Sequence, residues 1–148
     1  MKYGLFLGCN VPAVRPDVER AIRLTMPRLG AGMVDLEGSV CCPAFGSFPS
    51  ADETASLAVS AWNFSIAEAL GVPMVTQCGS CYSSLRMALE KLHDDGVLRE
   101  KVQGLLRGKA GMEFSGTATV RHIIDVLHND VGAERITTPA SVPKFCVA

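Results

Sequence analysis

The placement of the cysteines constrains this sequence more than any other feature. Cys9, Cys41, Cys42, Cys78 and Cys81 fall in the pattern C-x31-CC-x35-C-x2-C within a chain of 148 residues. Each group follows a short apolar segment: KYGLFLG before Cys9, GMVDLEG before the Cys41-Cys42 loop, and VPMVTQ before Cys78. Short apolar runs bounded by glycine and proline read as buried strands. The cysteines are therefore expected at the carboxyl ends of three strands. Cys41 and Cys42 are too close to bond comfortably to each other, since a trans peptide step spans about 3.8 Å between Cα atoms and a disulfide wants more.

Helical patterns separate these segments. From Asp17, a plausible cap, Val18, Ala21, Ile22, Leu24 and Leu29 predict a helix that Pro27 bends or ends early. A long helix is expected from Asp52 to Leu70, capped by Ser50 or a neighbour and stopped by Gly71, with Trp62, Phe64, Ile66 and Ala69 on its core face. Further helices are expected from about Ser80 to His93, from Val97 to Leu106 and from Val120 to Leu127, while the stretch holding Pro12 and Pro16 reads as a loop. This alternation predicts an α/β fold with a small, mostly parallel sheet flanked by helices. In such folds ligands bind in the crevice beyond the carboxyl ends of the strands, where all three cysteine groups would meet. One cysteine-rich domain is expected over residues 1–141, with 142–148 as a tail or the start of a second repeat, because VPKFCVA resembles the opening MKYGLFL.

Other function classes lack support. A net charge of -1 gives no nucleic-acid face. No apolar run approaches the roughly 18 residues of a membrane span, and the apolar part of MKYGLFLGC is too short for an export signal. The default compartment is a reducing cytoplasm, where six cysteines point to metal or redox chemistry more than to disulfides. No phosphate loop, serine nucleophile elbow or paired-carboxylate motif is present, and no residue is singled out as catalytic. His93, His122 and His128 read as helix-surface or helix-end residues, Trp62 as a core or interface anchor, and Cys146 as core packing.

Five converging thiolates exceed the four that tetrahedral zinc takes, and a surplus of soft ligands points to iron and sulfide. Neighbouring cysteines can both ligate only if they reach different metal atoms or if one thiolate bridges two, which favours a cluster with several irons. Cys81 lies near a helix start, which favours its thiolate. Gly79 and Ser80 are small enough to let backbone amides approach sulfur. Two other chemistries stay open: a structural zinc site using four of the five thiolates, and a thioredoxin-like dithiol oxidoreductase using Cys78 and Cys81.

The segments YGLFLGC, CCPAFG, LAVSAWNFSIAEALG, VTQCGSCYSSL and HIIDVLHNDVG resemble the B subunit of heterodisulfide reductase, in its amino-terminal cysteine-rich Cys-Cys-Gly domain. The resemblance covers nearly the whole chain, and it departs from the family at Pro43, where glycine is expected. It implies a noncubane [4Fe-4S] cluster with Cys9, Cys41, Cys42, Cys78 and Cys81 as ligands. In that family two such clusters face each other across a disulfide substrate, each injects one electron, and an iron-sulfur partner protein of the same complex supplies the electrons. A lone domain then holds half a site, and needs a second cysteine-rich domain from another chain or copy. Phe45, Phe48 and Tyr82 are candidates for that interface, or for packing within their own loops. A rival reading is an electron-transfer or assembly module whose cluster never meets substrate.

Overall fold

The computed structural model describes residues 1–44 and 47–137. Phe45, Cys146 and the expected tail 142–148 lie outside the described residues. The first apolar run forms β1 (Lys2–Phe6), in which every residue after Lys2 is buried. Burial on both faces suits a central strand, and β1 is one: it pairs in parallel with β2 (Gly32–Asp35) on one side and β3 (Met74–Thr76) on the other. The short β4 (Val120–His122) pairs with β3, completing an all-parallel sheet in the order β2-β1-β3-β4.

Helices cover both faces. On one, α2 (Pro16–Thr25) and α7 (Ile123–Val126), the latter running into a π-helical turn at Leu127–Val131, pack Ile22, Met26, Ile123, Val126 and Val131 against Tyr3, Leu5 and Val75. On the other, α4 (Glu53–Ala69), α5 (Gly79–Asp94) and α6 (Gly96–Ala110) pack Phe64, Leu85, Leu92 and Val102 against Phe6 and Met74. The helix after β1 thus lies on one face and the helix after the adjacent β3 on the other. Diverging connections between neighbouring parallel strands make the kind of crevice in which α/β proteins bind ligands.

Several local expectations change. Val120–Leu127 is not one helix: its first three residues form β4, with Val120 opposite Met74, because the open edge of β3 offers backbone partners that a helix would forgo. The segment after Cys9 contains a short helix α1 (Asn10–Val14), and Pro12 fits in its first turn, where no amide is needed. Arg15, not Asp17, precedes α2, which starts on Pro16, while Asp17 lies in the first turn and pairs with Arg15 at 2.8 Å. Asp52 caps α4 by accepting from the Ala55 amide at 2.9 Å, directly after a short α3 (Ser47–Ala51) that the sequence did not signal. Ala69 is exposed, whereas Ser65 and Ala67 are buried. Among the described residues no helix is long and apolar enough to cross a membrane.

Candidate metal centre

The site begins where β1 ends. Gly8 turns the chain with a φ of +68°, a region L side chains rarely adopt. A Cβ placed on Gly8 would stand 2.8 Å from Cys81 Sγ, so a glycine is also what lets the two loops close on each other. Cys9 follows and caps α1 without using its side chain as a cap. The neighbouring loop is strapped on by Gln77, whose Nε2 donates to the Leu7 carbonyl at 2.9 Å. A His122 ring nitrogen lies 3.2 Å from the Gln77 carbonyl oxygen, and Tyr82 packs edge-on against the same ring at 5.8 Å.

The Cys41-Cys42 loop is held by the middle of α4. Trp62 Nε1 donates to the Gly38 carbonyl at 2.8 Å, and the Val40 amide donates to Asn63 Oδ1 at 2.9 Å. Of the adjacent cysteines, Cys41 is exposed and Cys42 buried. Cys78 stands at the N-cap of α5, again with its side chain uncommitted to capping, and Cys81 is buried in the first turn. That turn carries no acidic residue, so the positive end of α5 is left to favour anionic sulfur.

The five predicted residues do come together. Cys42 Sγ and Cys81 Sγ are 3.1 Å apart, Cys41 Sγ donates to the Cys42 carbonyl at 3.5 Å, and Cys9 and Cys78 are close enough to act electrostatically on Cys41 and Cys81 respectively. The Cys42-Cys81 contact therefore joins the loop after β2 to the start of α5, with Cys9 neighbouring Cys41 and Cys78 neighbouring Cys81. The electrostatics are uneven. The hydrogen bond between Cys42 and Cys81 holds the Cys42 thiol down at about 7 despite its burial. The same bond, with burial second, pushes Cys81 far up. Loss of water around its sulfur, then the neighbouring Cys9, pushes Cys41 up to about 12. A shared proton holds Cys42 and Cys81 in direct contact, and metal binding would displace it. Among the described residues no three or more His, Cys, Asp or Glu side chains stand ready as a site for a single ion.

Of the aromatic residues considered for an interface, Phe48 is exposed and Tyr82 is half-buried against the core and His122. Sequence reasoning passed over Gln77 and Asn63. For Asn63 a signal was available: it is a lone amide within the otherwise small and apolar stretch SAWNFSIA.

A parallel α/β sheet that gathers five thiols from three loops defines the class of cysteine-rich α/β domains. The chain belongs to the cysteine-rich domain family designated CCG, whose pattern matches residues 3–86, a span that holds all five cysteines. It is 42% identical over 136 residues to a heterodisulfide reductase B-subunit-like protein of Archaeoglobus profundus, with 92% of this chain and 45% of the relative aligned. It is 40% identical over 142 residues to the B subunit of the ferredoxin/F420H2-dependent CoB-CoM heterodisulfide reductase of Methanosarcina acetivorans. The B subunit of the ferredoxin:CoB-CoM heterodisulfide reductase of Methanosarcina mazei is 39% identical over the same length, and in both cases 93% of this chain and 47% of the relative align. The chain thus spans a little under half the length of these curated relatives.

Proposed function

We propose that this chain is the cluster-binding half of an iron-sulfur redox subunit acting on a disulfide or related sulfur substrate. The resident group is a noncubane [4Fe-4S] cluster held by Cys9, Cys41, Cys42, Cys78 and Cys81 in the crevice beyond the carboxyl ends of β1, β2 and β3. The observation that carries the reading is the 3.1 Å contact between Cys42 and Cys81, which brings the Cys41-Cys42 loop onto the start of α5 with Cys9 and Cys78 acting on the same group of thiols. Soft thiolates are the donors that iron-sulfur clusters take, and the absence of a Cβ at Gly8 keeps space open beside Cys81 Sγ. When bound, the cluster supplies one-electron chemistry. The protein contributes the rest: Gln77 and Asn63 fix the loops, and the start of α5 offers a positive environment to bound sulfur anions.

Opening a disulfide takes two electrons. A second cysteine-rich domain, contributed by another chain or copy, completes the site, and an iron-sulfur partner protein supplies the electrons. This agrees with relatives that are named as reductase subunits and are about twice as long. A self-contained dithiol enzyme fits less well, because the thiol in direct contact with Cys81 is Cys42, from another loop.

The test is anaerobic purification or reconstitution, followed by assays of iron, acid-labile sulfide and visible absorption. Brown protein is expected, and serine at any of the five cysteines should lower iron and sulfide together while Cys146→Ser leaves them unchanged. Colourless zinc protein, or a Cys42→Ser protein with intact dithiol oxidoreductase activity and no iron, would refute the proposal.

A further inference from the structure

Two buried serines on α4 satisfy themselves within the helix. Ser60 donates to the Ser56 carbonyl at 3.2 Å and Ser65 to the Ala61 carbonyl at 2.9 Å, each reaching back one turn of its own helix. Asn63 is 0% exposed, and its Oδ1 accepts the Val40 amide. Its Nδ2 is buried with no hydrogen-bond partner. Among the described residues the other buried side-chain atom in that condition is an acceptor, Gln77 Oε1, so Asn63 carries the unpaired donor.

The orientation of the amide is not free. Only an oxygen can accept the Val40 N–H, so the NH2 group must occupy the remaining position. Anchoring Val40 requires an acceptor and nothing more. A buried donor without a partner costs desolvation, and an acceptor alone would have avoided that cost. The amide lies against the residue that leads into Cys41-Cys42, and Cys42 shares the buried cluster with Phe64, the next residue of α4.

We propose that Asn63 is a positioning residue of the cysteine site, whose free amide N–H donates to sulfur on the Cys41-Cys42 side once the site is occupied. The inference rests on the iron-sulfur reading above. Anionic sulfur accepts such bonds, and N–H donation to cluster or ligand sulfur stabilises the more negative, reduced state, raising the potential. Asn63 would then have two tasks: its oxygen fixes the loop, and its nitrogen sets the redox poise.

The first measurement uses the loaded Asn10→Ala chain, so that the exposed amide next to Cys9 does not interfere. Asparagine labelled with 15N in the side-chain amide is incorporated, and pulsed EPR is recorded in a paramagnetic state of the cluster. A 15N coupling is expected. Its absence from protein with normal iron and sulfide would overturn the inference and leave the function reading standing, whereas protein without iron and sulfide would overturn both. The second measurement is the midpoint potential of Asn63→Leu, expected to shift to lower values with loss of the 15N coupling. Trp62→Phe, which cuts the Gly38 bond on the same loop, should keep the wild-type potential. Equal potentials for loaded Asn63→Leu and wild type would assign the donor to a bound water or to loop packing. If Asn63→Leu fails to load, the coupling in Asn10→Ala protein decides the question alone.

Discussion

Replacing Gly8 with alanine tests the closure of the site without removing a sulfur atom. The substitution has two separable costs. At φ +68° an L residue sits in the left-handed region, which costs about 1–2 kcal/mol. The new Cβ would also stand 2.8 Å from Cys81 Sγ, roughly 1 Å inside ordinary contact, and overpacking of this kind costs about 1–3 kcal/mol. Together they amount to about 2–5 kcal/mol, or a fall in Tm on the order of 10 °C for a chain of this size. Thermal unfolding of the metal-free, reduced protein reads the stability, and iron and sulfide content after reconstitution reads the site. Gly79→Ala is the matched control. Gly79 also neighbours a cysteine, but it opens α5 with ordinary φ, and a Cβ there meets nothing within 4 Å. Alanine at 79 should be neutral or stabilising by up to about 1 kcal/mol in the metal-free protein. A Gly8→Ala protein as stable as wild type and loading normally would refute the packing argument.

Three further outcomes are expected. In air, the metal-free protein should form a Cys42–Cys81 disulfide before any other, since these sulfurs are 3.1 Å apart and Cys42 is the thiol held down at about 7; peptide mapping without reductant that finds a different first bridge would contradict this. Tyr3, whose hydroxyl donates to Asp130 beside Arg121, is pushed up to about 12 by burial and then by Asp130, so its contribution to stability is complete below about pH 10 and is lost between about 10 and 12. The bond from Arg121, then that from Tyr3, holds Asp130 below the usual carboxylate range, so the stability it adds is present above that range and disappears as pH falls through its lowered pKa; Tyr3→Phe should flatten the alkaline limb of a denaturation-against-pH profile and Asp130→Asn the acid limb. Phe64→Ala removes a fully buried ring that packs at 5.8 Å against Phe114 and should cost about 3–5 kcal/mol in chemical denaturation.

The parallel α/β architecture was legible because β1 and β3 are short apolar runs and the helices between them carry strong patterns. β4 was not, because three residues, Val120–His122, flow straight into helical Ile123–Val126 and only the open edge of β3 selects the extended form. α1 was hidden by Pro12, whose tolerance in a first turn depends on where the helix starts. At the site, the five cysteines could be listed from spacing and family resemblance. What holds them could not. Gly8 matters because of Cys81, which is remote in sequence, and Asn63 matters because of Val40. Local periodicity carries no information about such pairs.

That distinction bears on how the site assembles. Cys78 and Cys81 are set by local structure, the cap and first turn of α5, and a chain with that helix intact would present both. Cys9 and the Cys41-Cys42 pair are different, because their approach depends on β1 lying between β2 and β3 and on the Gln77 and Asn63 bonds across loops. Cys42 joins the two groups of cysteines by touching Cys81. On the proposed function, occupation of all five positions would require the folded sheet, and binding energy at the site would be folding energy for the domain. A substitution that weakens a strap, such as Gln77→Ala, should lower metal retention and melting temperature together. The same loss of strapping should leave the helical signal of α5 in place, since nothing in that helix depends on Leu7.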